Sequence, residues 1–203
     1  MIQHHPSQVT LLSYAAGTLP EAHARVVAAH LTFCPECTQA LRQAEAVGGA
    51  LITDLPPSLM SPNALARTLD RLQAPPATEP QPGPATLTGL ATGRWRWTGP
   101  GIAMMPLLRR DASDSRLDLI RVAPGVALLE HGHTGHESTC VLQGAFQDGI
   151  GEYGVGDFME ADDDFAHHPT ALAGEACICL IATSGHLRPR SLLGWLVRPL
   201  LGM

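Results

Sequence analysis

The stretch His30-Leu-Thr-Phe-Cys34-Pro-Glu-Cys37 decides how the beginning of the chain folds. One imidazole and two thiols within eight residues supply three of the four ligands of a tetrahedral zinc site. Apolar residues recur at helical intervals just before it, at Ala24, Val27, Ala28 and Leu31. Pro35 disfavours helical backbone at Cys34 and suits the first turn of a new helix. The sequence therefore predicts a helix, an elbow at Cys34 and a second helix with Cys37 in its first turn.

Two histidines ahead of the first helix can supply the fourth ligand. They are His4 and His5, and His5 is preferred because it is closer to the helix start. A redox Cys-x-x-Cys, or two ordinary cysteines, is the alternative reading. Histidines on both sides and no βαβ pattern nearby favour zinc. The helix dipole is expected to lower the thiol pKa of Cys37 and so to favour the metal-binding thiolate.

The rest of the first 73 residues predicts further short helices. Ser7 can cap a first helix that ends at Gly17, with Val9, Leu12 and Ala16 on its apolar face. The second begins at Pro20-Glu21, and the third runs from Pro35 to about Leu51, with Ala40, Leu41, Ala44 and Val47 on one face. The fourth follows Ser61-Pro62 and carries Leu65, Leu69 and Leu72, which either pack on the other helices or are kept for a partner. Helices this short need the metal for stability.

A proline-rich segment, residues 74 to 84, separates this region from one of alternating hydrophobicity. Predicted strands cover 94–97, 102–108, 117–122, 126–129, 139–142 and 177–181, and many short strands predict an antiparallel sandwich or barrel. Residues 192–201 fit either a last strand or a docked helix. The predicted fold is α+β in two domains: a small zinc-bound helical bundle at 1–73, a linker at 74–90 and an antiparallel β-barrel at 91–203.

Composition excludes several classes of protein. The 203 residues are 45% apolar, enough for real cores, and neither a signal peptide nor a membrane-spanning run is evident. A soluble cytoplasmic protein is expected. Five cysteines, an odd number, argue against a disulfide scaffold. A net charge of −6 with no lysine argues against direct nucleic-acid binding.

A second cluster, His131-Gly-His133-Thr-Gly-His136-Glu137, lies among the predicted strands. In a regular strand His131, His133 and Glu137 face one way, because side chains alternate. His167 or His168 can add a fourth ligand. Imidazoles with a carboxylate and no sulfur suit zinc, manganese, iron or nickel, and the alternative is a polar surface hairpin.

The spacing Gly125-x5-His131-x-His133-x3-Glu137-x6-Gly144 resembles the first motif of the cupin family of small β-barrels. The segment from Gly151 to His167, with Gly156-Asp157 as its turn, resembles the second motif, although the usual proline before the turn glycine is missing. A His…His-x-x-x-Cys-x-x-Cys module ahead of a cupin resembles the ChrR-type zinc-binding anti-sigma factors. Tyr14-Ala-Ala-Gly-Thr-Leu, Val141-Leu-Gln-Gly-Ala-Phe and Cys177-Ile-Cys-Leu extend this likeness.

The resemblance implies a regulator with two metal sites. His5, His30, Cys34 and Cys37 match the family's zinc site, and His131, His133, Glu137 and His167 match its cupin site. The second ion would be a divalent metal, with zinc first and iron, manganese or nickel as alternatives. The helical module would grip an extracytoplasmic-function sigma factor. The cupin would sense singlet oxygen or an organic peroxide and trigger release.

Occlusion of a sigma factor needs no catalytic residue, so the chain is not expected to be an enzyme. Two alternatives stay open. One is a cupin metalloenzyme, dioxygenase-like, with an accessory zinc module. The other is a thiol switch in which oxidation of Cys34 and Cys37 ejects zinc. Cys140, Cys177 and Cys179 are expected to be buried structural cysteines rather than oxidation sensors.

Overall fold

The computed structural model describes residues 2–73, 93–163 and 167–189, without the side chains of His133 and of residues 187–189. The predicted linker at 74–90 and the predicted element at 192–201 lie outside the described residues. The described helices are α1 (Gln8–Ala15), α2 (Glu21–Phe33), α3 (Pro35–Thr53) and α4 (Ala64–Gln73). All four predicted helices are present.

Local sequence explains where the first helices begin and end. The Ser7 hydroxyl accepts the backbone N–H of Thr10 at 3.2 Å and caps α1, as predicted. Gly17, just beyond the helix, has φ +66°, a conformation that glycine adopts without steric cost. Cys34 is extended, with φ −113° and ψ 100°, and Pro35 occupies the first turn of α3. The predicted elbow at Cys34 is therefore confirmed.

The strands are antiparallel and form three sheets. Their bounds are β1 (Arg96–Gly99), β2 (Ile102–Leu108), β3 (Ser115–Val122), β4 (His131–His133), β5 (Glu137–Gln143), β6 (Phe146–Gln147), β7 (Glu152–Tyr153), β8 (Phe158–Ala161), β9 (Thr170–Ala171), β10 (Cys177–Ser184) and β11 (Leu187–Pro189). The large sheet has the order β1-β2-β3-β10-β5-β8; β7-β6-β9 and β11-β4 form the smaller sheets. Together they build the predicted cupin-like barrel.

Two strand predictions need correction. The first strand begins at Arg96 rather than at residue 94. The predicted strand at 126–129 is reduced to an isolated bridge between Ala127 and Thr170, flanked by backbone hydrogen bonds of Val126 with Ala171 and of Leu128 with Pro169. Gly125, with φ +73°, and the N–H of Val126 bonded to the carbonyl of Ala123 turn the chain there, so no regular ladder forms.

The three central strands, β3, β10 and β5, alternate between the barrel interior and an outer face. Side chains such as Glu137, Thr139 and Ile181 line the interior. Their neighbours in sequence, such as Cys140 and Leu180, join a core cluster that also contains residues of α2. One face of the sheet therefore encloses the barrel cavity, and the other is covered by a helix.

Helix α2 packs on the outer face of β10, β5 and β3. Val26 and Val27 are fully buried there, and burial of a valine side chain contributes about 2 kcal/mol. The predicted apolar face of α2 was partly wrong. Ala24 and Ala28, which were placed on it, are only half-buried, whereas His30 is fully buried. Because α2 is covered by the sheet as well as by α1 and α3, its buried surface is wider than one helical stripe.

The other helices bury little. In α1 the buried residue is Leu11, whereas Val9 and Leu12 of the predicted apolar face are exposed. In α3 only Cys37 is buried, and Val47 is 62% exposed. No residue of α4 is buried. The predicted apolar faces of α1 and α3 are therefore mostly exposed or half-buried, and of the four helices it is α2 that packs extensively on the barrel.

Candidate metal centres

The structure brings His5, His30, Cys34 and Cys37 together. One ligand atom from each lies within 4.8 Å of all the others. The Nδ1 atom of His5 lies 3.4 Å from the Cys34 sulfur and 3.3 Å from the Cys37 sulfur. Two imidazoles and two thiols at this separation match the ligand set of a structural zinc site.

The two amino-terminal histidines make different contacts. His4 turns away from the cluster: its Nε2 lies 3.1 Å from the carbonyl of Glu152, and its ring lies 4.3 Å from that of Tyr153. His5 faces the two sulfurs. The preference for His5 thus agrees with the geometry.

The chemistry of the four groups fits a dication. The Nδ1–H of His30 donates to the carbonyl of Gly156 at 2.7 Å, so Nε2 carries the lone pair. Within the described chain this buried Nε2 has no hydrogen-bond partner, as expected of an atom that binds a metal. Burial raises the pKa of Cys37 to about 12, with further contributions from the hydrogen bond that its thiol donates to the Cys34 sulfur and from the negative charges of Cys34 and Glu36. The predicted lowering of the Cys37 pKa by the helix dipole is outweighed, and a bound cation would be needed to hold Cys37 as a thiolate.

A second cluster lies inside the barrel and contains His131, Glu137 and His167. The Nε2 atoms of the two histidines are 3.0 Å apart, and Glu137 Oε1 lies 3.9 Å from His167 Nε2. The Nδ1–H of His131 donates to the carbonyl of Leu129 at 2.7 Å, which directs its Nε2 lone pair toward the cluster. His168 is exposed, so His167 is the residue that joins this site.

The predicted ligand His133 has no described side chain, so its role stays a prediction. Burial raises the pKa of Glu137 to about 7, opposed by a hydrogen bond from Thr139. A carboxyl group so fully buried keeps its charge at neutral pH when a cation lies beside it. Two imidazoles and this carboxylate therefore fit a divalent metal, and the donor set alone does not select one.

Asp148 was missed by the sequence analysis. Its Oδ2 lies 3.8 Å from Nδ1 of His167, and its side chain is fully buried. Its Oδ1 accepts the N–H groups of Ile150 and Gly151, at 2.9 and 3.1 Å, which fixes the carboxylate. A carboxylate that accepts the N–H of a ligating imidazole orients that ring, and Asp148 is placed to do so for His167 after a small approach from 3.8 Å. No local pattern links Asp148 to His167, because pairing of β6 with β9 is what brings them together.

A cavity of about 480 Å³ opens beside the barrel cluster. Most of its lining is apolar, with Ile120, Phe146, Met159 and Ile181 among the side chains. Such a volume suits a small organic molecule. Cys177 and Cys179 also line it, with sulfurs 3.6 Å apart. These two cysteines and Cys140 are buried free thiols, as predicted.

His23, also missed, connects α2 to the strand that carries Glu137. Its Nδ1 lies 2.9 Å from the hydroxyl of Ser138, next to Glu137 on β5. Burial, with a smaller contribution from His136, lowers the pKa of His23 to about 4, while Asp111 acts in the opposite direction. The helix therefore docks on the barrel with this imidazole neutral.

His23 should make the chain sensitive to mild acid. Between pH 6.5 and about 4 the unfolded chain binds a proton on His23 that the folded chain does not, so stability falls as pH falls through this window. The loss is about 3 kcal/mol by pH 4. Urea unfolding at pH 7 and pH 5 should show a smaller loss for His23→Gln, which keeps a hydrogen-bonding group. Equal losses in both proteins would contradict this expectation.

Comparison with known proteins gives separate matches to the helical region and to the barrel. A family model described as "ChrR Cupin-like domain" matches residues 85–187, and a zinc-finger model matches residues 11–38, which include His30, Cys34 and Cys37 but not His5. The anti-sigma-E factor ChrR of Cereibacter sphaeroides is 42% identical over 209 residues, covering 98% of this chain and 97% of the relative. This chain belongs to the ChrR family of anti-sigma factors.

A solved ChrR structure has the same overall arrangement. In the crystal structure of Rhodobacter sphaeroides SigE in complex with the anti-sigma ChrR, the matching chain superposes with a TM-score of 0.79 at 38% identity. The match covers 91% of this chain and all of that chain. The family match therefore spans both the helical region and the cupin. Among the described residues, no helix is long and apolar enough to cross a membrane.

Proposed function

We propose that this ChrR-family chain sequesters an extracytoplasmic-function sigma factor through its helical module, residues 1–73, and releases it under oxidative stress. The exposed apolar face of α4 is the observation that supports binding of a sigma factor. Its leucines Leu65, Leu69 and Leu72 are 66%, 48% and 77% exposed, and the helix buries no residue of its own. These leucines could either pack on the other helices or contact a partner, and their exposure supports contact with a partner.

The exposed apolar surface extends beyond α4. It continues through the end of α3 and the connection that follows, with Leu51, Ile52, Leu55, Leu59 and Met60 all more than 60% exposed. Large apolar side chains left exposed in such number mark interaction sites. The charge of residues 1–89 is mild, with six acids and four arginines, so apolar contact rather than electrostatic steering would supply the affinity. The related ChrR is in a complex with SigE, which supports a sigma factor as the partner.

The site residues divide into two proposed metal centres. His5, His30, Cys34 and Cys37 would hold zinc and fix the elbow from which α2 and α3 diverge. His131, His133, Glu137 and His167 would hold a second divalent ion, zinc first, in the barrel. A bound ion there would act as a Lewis acid. The apolar cavity beside it would admit an organic peroxide, and Glu137 is coupled to α2 through Ser138 and His23.

Leu69→Asp tests the docking surface. A charge in the middle of the stripe would be buried on binding, so we expect affinity for the co-purifying sigma factor to fall by at least about 30-fold. The control is Ile150→Asp, which changes a 64% exposed residue on the barrel in the same way. Affinities from surface plasmon resonance should separate the two variants. Equal binding by Leu69→Asp and wild type would exclude α4 from the interface.

The cavity next to the barrel cluster also favours a second candidate, a cupin metalloenzyme of the dioxygenase type. Iron at His131, Glu137 and His167 together with turnover of a small apolar substrate would support it. Capture of a sigma factor by a protein without such turnover supports the regulator.

A further inference from the structure

A turn of the barrel lies against the sulfur–imidazole cluster of the helical module. This turn, residues 154–158, leads into β8. The carbonyl of Gly156 accepts the Nδ1–H of His30 at 2.7 Å, and the ring of Phe158 lies 5.6 Å from that imidazole in an edge-on arrangement. The barrel thus sets the tautomer and the orientation of His30.

Asp157, in the same turn, holds the segment that carries His5. One carboxylate oxygen accepts the backbone N–H groups of Gln3 and His4, at 2.7 and 3.0 Å. The other accepts the N–H of Gly154 at 2.8 Å and closes the turn. Asp157 is only 5% exposed. Charge-assisted bonds to backbone donors are among the stronger hydrogen bonds, and buried ones are poorly replaced by water.

The backbone continues this attachment. The N–H of Phe158 donates to the carbonyl of His4 at 3.1 Å, so residues 3 and 4 are fixed to the turn by both donor and acceptor groups. His5 is the next residue. Its position relative to Cys34 and Cys37 therefore depends on contacts made by the barrel.

Close packing leaves no spare room at this contact. Gly156 has φ +88°, and a Cβ added there would lie 2.5 Å from Cδ1 of Ile2 and 2.7 Å from Cβ of Phe33. Ile2 begins the described amino-terminal segment, and Phe33 ends α2 immediately before Cys34. A side chain at position 156 would displace one or both of the segments that carry the cluster.

We propose that the barrel positions the zinc ligands of the helical module: Asp157 holds the backbone of Gln3 and His4, which places His5, and the Gly156 carbonyl accepts the hydrogen bond that orients His30. Hydrogen bonds behind the ligands fix their geometry and raise their basicity. The zinc site is then shared between the two halves of the chain. This inference rests on the proposed zinc site but not on sigma-factor binding.

Asp157→Ala in the full chain tests the inference. Loading with Co²⁺ gives a thiolate-to-metal absorption that reports the sulfur-containing site, and its decay after addition of excess EDTA gives the rate of metal release. Substitution of residues that hold metal ligands in place lowers metal affinity by about 10- to 100-fold. We therefore expect Co²⁺ to be released from Asp157→Ala at least ten times faster than from wild type. Release within twofold of wild type would overturn the proposal.

Asp111→Ala is the control for loss of a carboxylate from another barrel loop. Asp111 also accepts backbone N–H groups in a barrel loop, those of Ser113 and Ser115, but it does not contact the amino-terminal segment. We expect its release rate to stay within twofold of wild type. If metal release were accelerated equally in both variants, the cause would be a general destabilisation of the barrel. That result would contradict a positioning role for Asp157.

Gly156→Ala keeps the test valid if Asp157→Ala does not fold. It retains every polar group and places one methyl against Ile2 and Phe33. Thermal melting followed by circular dichroism establishes that each variant is folded. Faster release from folded Gly156→Ala supports the proposal, and release at the wild-type rate overturns it. If Co²⁺-loaded wild type shows no thiolate absorption, the proposed zinc site is wrong. The proposal that the helical module binds a sigma factor is tested separately, by affinity.

Discussion

Cys37→Ala is expected to abolish capture of the sigma factor. Cys37 is 4% exposed, and its sulfur lies 3.3 Å from Nδ1 of His5, so its loss removes one of four converging ligands. Structural zinc contributes about 10–16 kcal/mol to folding of small zinc-finger peptides, far more than the sparse packing among α1, α2 and α3 could replace. We expect affinity to fall by at least about 100-fold, equivalent to about 2.8 kcal/mol.

The matched control for that variant is Cys140→Ala. Cys140 is fully buried in the core between α2 and the barrel, outside both metal clusters. The same substitution there should lower stability slightly through a small cavity and leave sigma-factor capture intact. Affinity of purified proteins, measured by isothermal titration calorimetry, distinguishes the two. Unchanged affinity in Cys37→Ala would separate zinc from sigma-factor binding.

His131→Ala is expected to have the opposite pattern, with binding retained and the stress response lost. Its Nε2 lies 3.0 Å from that of His167 in the barrel cluster, on the far side of β5 from α2. Removing one imidazole should empty the barrel site of metal and leave the α4 surface unchanged. A reporter transcribed by the partner sigma factor should then stay silent during illumination with a photosensitiser, or on addition of an organic peroxide, in cells carrying this variant.

Exposed His168 provides the control for the reporter experiment. His168→Ala removes a neighbouring imidazole that does not face the cluster, so its response should equal that of wild type. A full response from His131→Ala would contradict the assignment of sensing to the barrel site. A reporter active without stress would instead mean that the barrel metal is needed for sequestration.

Local rules were enough to predict the sulfur–imidazole cluster. Pro35 and the helical spacing before it determine the elbow, and Cys34 and Cys37 then converge within one turn. The preference for His5 over His4 rested only on its closeness to the helix start, and the contact that turns His4 toward Tyr153 of the barrel could not be predicted from the sequence. One regular strand was predicted to place His131 and Glu137 on the same side, whereas they lie on separate strands, β4 and β5, that bring them into the same cluster. Asp148 approaches His167 through sheet pairing, which the sequence did not reveal.

Docking of α2 on the barrel could not be predicted from periodicity. Its pattern resembled a helix in a small bundle, yet Val26, Val27 and His30 are buried by strands that come more than eighty residues later. The polar contacts of that interface, His23 with Ser138 and His30 with Gly156, join residues over a hundred positions apart. Long-range pairing of this kind depends on tertiary packing, which leaves no signal in local sequence.

Metal content measured together with sigma-factor capture is the most direct test of two ions with separate roles. Inductively coupled plasma mass spectrometry and a capture assay would be run on the same preparations of wild type, Cys37→Ala and His131→Ala. We expect two metal ions per chain in wild type and one in each variant. Only Cys37→Ala should fail to capture the sigma factor. Two ions in Cys37→Ala with full capture, or loss of both ions and of capture in His131→Ala, would contradict the account.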